Sequence, residues 1–194
     1  MHNRITEIRT ISVVADQLTL LQELDELIQA KAVPCLTNEE VDSAIGAIRL
    51  DAQSRSALFL WRILHASPRV GAIRDLALDT LRANGPHRAL AFGYLYSHCP
   101  ELRESLVAEF RVDPEEWIRF RIAVDDIGKN PRRAMTSLVE LLNTDDHELS
   151  EAVQLRLIEF RGRELVQELR RHDLRMGGGT MCAKIADEIE RSCG

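Results

Sequence analysis

Few residue groupings in this chain have both the types and the spacing that chemistry requires. Four cysteines, Cys35, Cys99, Cys182 and Cys193, are scattered with no CxxC pair, so the spacing of a zinc knuckle is missing. His147-Glu148 offers two possible metal donors, but a metal site needs several donors converging, and this dyad reads as a solvated turn. Asp145-Asp146 stands before a helix start and Glu115-Glu116 follows Pro114. Capping and pairing with the helix dipole account for acids at both places. Gly177-Gly178-Gly179-Thr180 could cradle a phosphate through backbone N–H groups. It lacks the preceding strand and the Lys of a phosphate loop, so a linker is expected there. No GxSxG, P-loop or GxGxxG pattern occurs. We therefore expect no catalytic residue, no metal and no cofactor.

Arg132, Arg133, Arg161, Arg163, Arg170, Arg171 and Arg175 make the last third of the chain locally basic. Glu159, Glu164 and Glu168 are interleaved with them, which fits a solvated helix face; an anion-binding patch is the other reading. The chain as a whole carries a net charge of -6, whereas duplex binding draws on a basic domain or stripe. Nucleic acid is therefore not the expected partner. No run of about 18 uncharged apolar residues is present to span a bilayer. The first residues carry Arg4, Glu7 and Arg9 and no apolar h-region, so a cytoplasmic protein with reduced thiols is expected.

The elements that must position any site are helical. Over 194 residues, 45% are apolar and 29% charged, enough for one domain with a real core. Ile5, Ile8, Ile11, Val14, Leu18, Leu21, Leu24 and Ile28 recur at three- and four-residue steps, which predicts one long helix over 5–31. Thr37-Asn38-Glu39-Glu40 reads as a capping box that starts the next helix. Pro68, Gly85-Pro86, Pro100, Asp113-Pro114 and Asn130-Pro131 divide the rest of the chain into helix-sized pieces. No period-two run is long enough to be a strand.

This punctuation carries a repeat. Blocks starting at Ser54, His87, Ile118 and Leu149 lie 33, 31 and 31 residues apart. Arg55, Arg88 and Arg119 fill the second place of three of them, with Ser150 in the fourth. Leu58, Ala91, Ile122 and Val153 form one apolar column, and Leu60, Gly93, Val124 and Leu155 another. Ile63, Tyr96, Ile127 and Ile158 form a third; in the preceding helices Leu76, Leu106 and Leu138 align. The repeat implies four helix pairs, at about 38–66, 70–98, 101–129 and 132–161. The helix in 1–36 would cap one end, and 163–194, hinged at 177–179, the other. One pair cannot bury its apolar face alone, whereas stacked pairs share a core.

The pattern resembles the HEAT-repeat family, most closely at Asp113-Pro114-Glu115-Glu116-Trp117-Ile118-Arg119 and at Ala134 to Leu149. In that family an Asp in the turn and an Arg six residues later tend to form a ladder. Asp113 and Arg119 keep that spacing, while Arg49 and Arg82 replace the Asp in two copies and Ser150 the Arg in the last. The resemblance, over about 38–161, implies an all-α fold, a right-handed α-solenoid of about four helix pairs with capping helices, as a single domain over 1–194. It also implies a scaffold or protein-binding role. The His147-Glu148 dyad is similar to those of HEAT hydroxylases, whose sites bring several dyads to two irons; this chain has one. A further resemblance, to HEAT-like alkylpurine DNA glycosylases, implies the alternative of an α-solenoid enzyme or nucleic-acid binder. Those proteins use a basic concave face with aromatic residues, and this acidic chain has two Trp and two Tyr.

The expected binding face comes from the second helix of each pair. One column holds Trp61, Tyr94, Asp125 and Arg156. Leu90 and Arg121 precede it by four residues, and His65, His98 and Lys129 come four residues after it, so these share one helix face. Its changing character from copy to copy suggests solvent. Trp61, His65, Leu90, Tyr94, His98, Arg121 and Asp125 are then the expected contacts for another protein, as an adaptor, chaperone-like partner or immunity-type inhibitor would make. Packing of Trp61 and Tyr94 under the N-terminal helix is the competing reading. The scattered cysteines and single His-Glu pair give a first prediction. EDTA should leave the melting temperature unchanged, and a drop of many degrees would reveal a structural metal.

Overall fold

The computed structural model describes residues 37–65, 70–83, 85–157, 160 and 163–193. Among these the chain is all-helical, with no strand. The helix expected over 5–31 lies outside the described residues. The helices are α1 (Asn38–Leu50), α2 (Arg55–His65), α3 (Val70–Arg82), α4 (Arg88–His98), α5 (Arg103–Phe110), α6 (Glu116–Asp126), α7 (Pro131–Leu141), α8 (His147–Leu157), α9 (Arg163–Arg175) and α10 (Met181–Cys193). A short 3-10 turn, Pro100–Leu102, leads into α5. Each of the four segments expected to be a helix pair contains two helices, and the Gly-rich segment separates α9 from α10.

The helix starts obey local chemistry. Thr37 and Glu40 close the capping box: the Glu40 N–H donates to Thr37 Oγ1 at 3.3 Å, and the Thr37 N–H to Glu40 Oε2 at 2.8 Å. Ser54 Oγ takes the Ala57 N–H at 3.1 Å at the start of α2. Asn130 Oδ1 takes the Arg133 N–H at 3.2 Å, with Pro131 at the first helical position of α7. Asp146 Oδ1 takes the Leu149 N–H at 3.1 Å before α8. Between α9 and α10, Gly177, Gly178 and Gly179 all have positive φ, from 77° to 89°, a run that side chains resist. Asp173 closes this corner by accepting the Thr180 N–H at 2.8 Å and the Thr180 hydroxyl at 2.7 Å.

The contacts gather into two compact units, Met1–Leu106 and Val107–Gly194. In the first, α1 packs on α2 and α3 on α4, while α1 also meets α3 and α2 meets α4. Its core includes Ile48, Leu60, Trp61, Leu64, Ile73, Phe92, Tyr94 and Leu95, all at most 2% exposed. In the second unit α7 packs against α6, α8 and α9, α6 meets α8, and α9 pairs with α10. There Leu138, Val139, Leu149, Val153, Leu165, Leu169, Cys182 and Ala186 form one cluster, with Trp117, Phe120 and Ile185 against it.

The repeat columns match this packing unevenly. Leu76, Leu106 and Leu138 are all buried, as are Ala91, Ile122 and Val153. Leu155 departs from its column: Leu60 is 1% exposed, Leu155 64%. Helix α2 buries Ala57, Leu60, Trp61, Ile63 and Leu64, an arc of nearly half the helix. Helix α8 buries only Leu149, Val153 and Leu157, one stripe at steps of four, and Leu155 falls on its far side. Ile122→Ala should therefore cost about 2–5 kcal/mol in denaturant unfolding. Leu155→Ala should stay within about 0.5 kcal/mol. Equal costs would show that the two helices share one environment.

Candidate functional site

The residues expected to form one face divide between the two units. Trp61 and Tyr94 are 1% and 0% exposed, so the exposed aromatic ridge expected of them does not form. The cause is enclosure from several sides: α2 has α1 and α4 against it, and α4 has α2 and α3. Rings of this size gain more from burial than any other side chain those helices could offer. His65, His98 and Leu90 are half-buried. The His98 ring lies 4.6 Å from the Tyr94 ring and 5.5 Å from that of His65, and His65 stands edge-on to Tyr94 at 6.1 Å. His98 Nε2 is 2.9 Å from the His65 carbonyl oxygen, a hydrogen bond that ties the end of α4 to the end of α2 if the ring donates there. Burial, and then the neighbouring Cys99, pushes the Tyr94 hydroxyl up to about 12, so it stays protonated across the physiological range. The Cys99 thiol is also pushed up, by burial and by Glu101, with Arg74 opposing. Neither group is poised as a base or nucleophile.

In the second unit Arg121 is exposed, and Asp125 pairs with Lys129 at 2.6 Å across one helical turn. The adjoining Asp126 is the more consequential carboxylate. It is 2% exposed on the buried stripe of α6, four residues after Ile122 and eight after Ile118. Arg133 holds it through two bonds, Nε to Oδ2 at 2.9 Å and Nη2 to Oδ1 at 3.1 Å, and Arg111 donates to Oδ2 from the other side. Burial alone would raise its pKa, but the hydrogen bonds and charges of Arg111 and Arg133 outweigh it, and the carboxyl lies below its usual range.

A second network joins the start of α6 to the start of α8. The Trp117 indole N–H donates to Asp146 Oδ2 at 2.8 Å, and the Thr144 hydroxyl to Glu116. Glu116 also pairs with Arg119 at 3.3 Å. The Asp146 carboxyl is held low by the Leu149 N–H and by that indole. Asp113 takes the Glu115 N–H at 2.9 Å in its own turn. In α9 two polar groups occupy the buried stripe, Glu168 and His172, at 5% and 7% exposure. Arg171 and Arg175 serve Glu168, and Asn143 Nδ2 sits 3.0 Å from His172 Nε2. Arg170 reaches Asp187 at 2.5 Å and Glu190 at 2.8 Å. Much of the basic last third is thus matched by carboxylates, as a solvated helix face would be. His147 and Glu148 are both exposed at the start of α8.

These arrangements join helices to one another. Among the described residues no group of three or more His, Cys, Asp or Glu is placed to hold a metal ion, and no helix is long and apolar enough to cross a membrane. The class this defines is an all-helical protein of short, paired helices tied by buried charged groups. Compared with family models, curated proteins and solved structures, the chain matches none.

Asp126 yields a pH prediction with a definite sign. Its folded pKa lies below the unfolded value of about 3.9, so its contribution is present above that pH and is lost as pH falls through the folded pKa. Asp126→Asn should lower stability at pH 7 by about 1–3 kcal/mol and flatten the acid limb of the stability curve below about pH 4. An unchanged acid limb would show that the two arginines do not hold the charge.

Proposed function

We propose that the chain is a non-enzymatic protein-binding module, built as a right-handed α-solenoid of HEAT-like helix pairs that receives its partner on the outward side of the second helices. The observation that carries this reading is the order of packing. In the first unit, first helices meet first helices and second helices meet second helices, α1 with α3 and α2 with α4. In the other, α7 meets α9 and α6 meets α8. Nearest-neighbour stacking of this kind is how solenoids extend their cores, and it leaves a long row of helix faces for partners. The sequence repeat of 31 to 33 residues supports the same reading.

With Trp61 and Tyr94 in the core, the contact surface falls on α6 and α8 of the second unit. There Arg121, Leu155 and Arg156 stand in solvent, with Asp125 half-buried beside them. Arginine is enriched at protein interfaces, where its planar head meets carboxylates and its stem packs on apolar groups. Affinity capture with the whole chain, followed by mass spectrometry, tests the reading. Arg121→Glu with Leu155→Glu should abolish capture of the partner that the wild-type chain retains. Melting should barely move, since both positions are exposed. Retention of that partner by the double variant would end this assignment of the face.

A further inference from the structure

A cavity of about 140 Å³ opens in the second unit between the turn after α5 and helices α6 and α7. Ile122 and Leu141, at 2% and 1% exposure, form its apolar floor. Arg111, Arg119, Ser137 and Glu140 are the polar part of the lining, and Val112 and Ala123 complete it. The volume matches roughly four or five waters at about 30 Å³ each, and it falls well below the ~300–1,000 Å³ of pockets that take drug-sized ligands or cofactors. One functional group on a short stem fits.

The polar part of the lining selects the group. Glu116 engages Arg119 at Nη2, and the Thr144 hydroxyl donates to Glu116, so the guanidinium is braced. Arg119 Nε is shut from solvent and has no hydrogen-bond acceptor within the protein. A buried N–H donor without an acceptor is costly, and an anionic oxygen is its strongest available partner. Ser137 adds a hydroxyl donor. The charge of Arg111 is largely taken up by Asp126, and Glu140 adds a negative charge to the same lining, so a singly charged anion suits it better than a doubly charged one. The apolar floor calls for a hydrocarbon stem. We infer that this cavity binds a monocarboxylate carried on a short aliphatic stem, with Arg119 as the anchoring cation and Ile122 and Leu141 as the seat of the stem. Such a group is supplied either by a free small acid or by a glutamate side chain of a bound polypeptide.

The test is a methyl NMR titration of the whole chain with sodium butyrate, with butyramide and inorganic phosphate as controls. A blocked Ala-Glu-Ala peptide forms a further arm. Butyrate should move the Ile122 and Leu141 methyl signals saturably, and butyramide should not. If the peptide moves the same signals, the source is a side chain; if butyrate alone does, it is a free acid. Arg119→Gln should weaken butyrate by about tenfold or more, the loss of one charge-assisted contact. Glu140→Gln, at an exposed position that leaves folding intact, should tighten it by about two- to fivefold by removing the opposing charge. Three results would each overturn the inference: no saturable shift with butyrate, phosphate binding as well as butyrate, or Glu140→Gln leaving butyrate affinity unchanged.

Discussion

The constraint on which the rest of this structure depends is the shortness of its helices. None of those described exceeds 13 residues, and α5 has only eight. Isolated helices below about 12–15 residues are marginal in water, because nucleation costs more than a few turns return. Each helix here therefore exists through what it packs against. That requirement explains why α7 has neighbours in α6, α8 and α9, and why Leu138 and Val139 near its end are fully enclosed. It also explains the attention given to helix ends. Four terminal N–H groups and four carbonyls are a large share of a helix of 11 residues, and Ser54, Asn130 and Asp146 each answer some of them. At the end of α4, Arg103 answers two carbonyls, those of Tyr96 and Ser97, and lays its guanidinium over the Tyr96 ring.

Short helices that must touch several neighbours leave some core positions facing two partners at once, and there the chain uses charge. Asp126 is the clearest case. A hydrophobic residue at that place would satisfy the stripe of α6 but would leave Arg111 and Arg133 without the anion that draws the turn after α5 and the start of α7 together. Such a bridge is a poor source of net stability, since both ions lose water, but breaking it from one side is costly. Two arginines from different segments, Arg111 and Arg133, meet on this one carboxylate. On α9, Glu168 is held by Arg171 and Arg175 of the same helix, while His172 meets Asn143 from the turn after α7.

The helical class and the helix boundaries were largely legible in the sequence and the surface was not, for physical reasons visible at particular residues. Prolines, caps and glycines act through local backbone geometry, so Thr37, Asn130, Pro131 and the three glycines marked their helix boundaries without reference to tertiary structure. First-helix positions such as Leu76 and Leu138 were also readable, because one apolar face served one core. The second helices misled. Equivalent places in the repeat, Trp61, Tyr94 and Asp125, sit in unlike surroundings: the two rings are at most 1% exposed, whereas Asp125 is half-buried and pairs with Lys129. The chain's alternation of aromatic and charged groups at this place reflected a change of environment between copies; solvent exposure throughout was the wrong explanation for it. The buried polar groups were missed for the opposite reason. Asp126 stands at the register of Ile118 and Ile122, and Glu168 and His172 at that of Leu165 and Leu169. A charged residue on the apolar stripe of a helix demands a partner, and that signal was present in the spacing.

The same reasoning separates groups that hold the fold from groups left over to do something else. Asp126 and Asp146 accept from donors of other helices or turns, Asp173 from Thr180 and Glu168 from arginines of its own helix, and the raised pKa values of Tyr94 and the buried thiols keep those groups protonated and inert. What the packing does not consume is different in kind. In the second unit a buried Arg119 N–H lacks an acceptor on a residue that lines a cavity, and on α8 Leu155 stands in solvent. Interior polar atoms are satisfied almost everywhere in folded proteins. An orphan donor braced in place by Glu116 is therefore a feature the fold maintains at a cost, and a cost of that kind persists where an outside group offsets it.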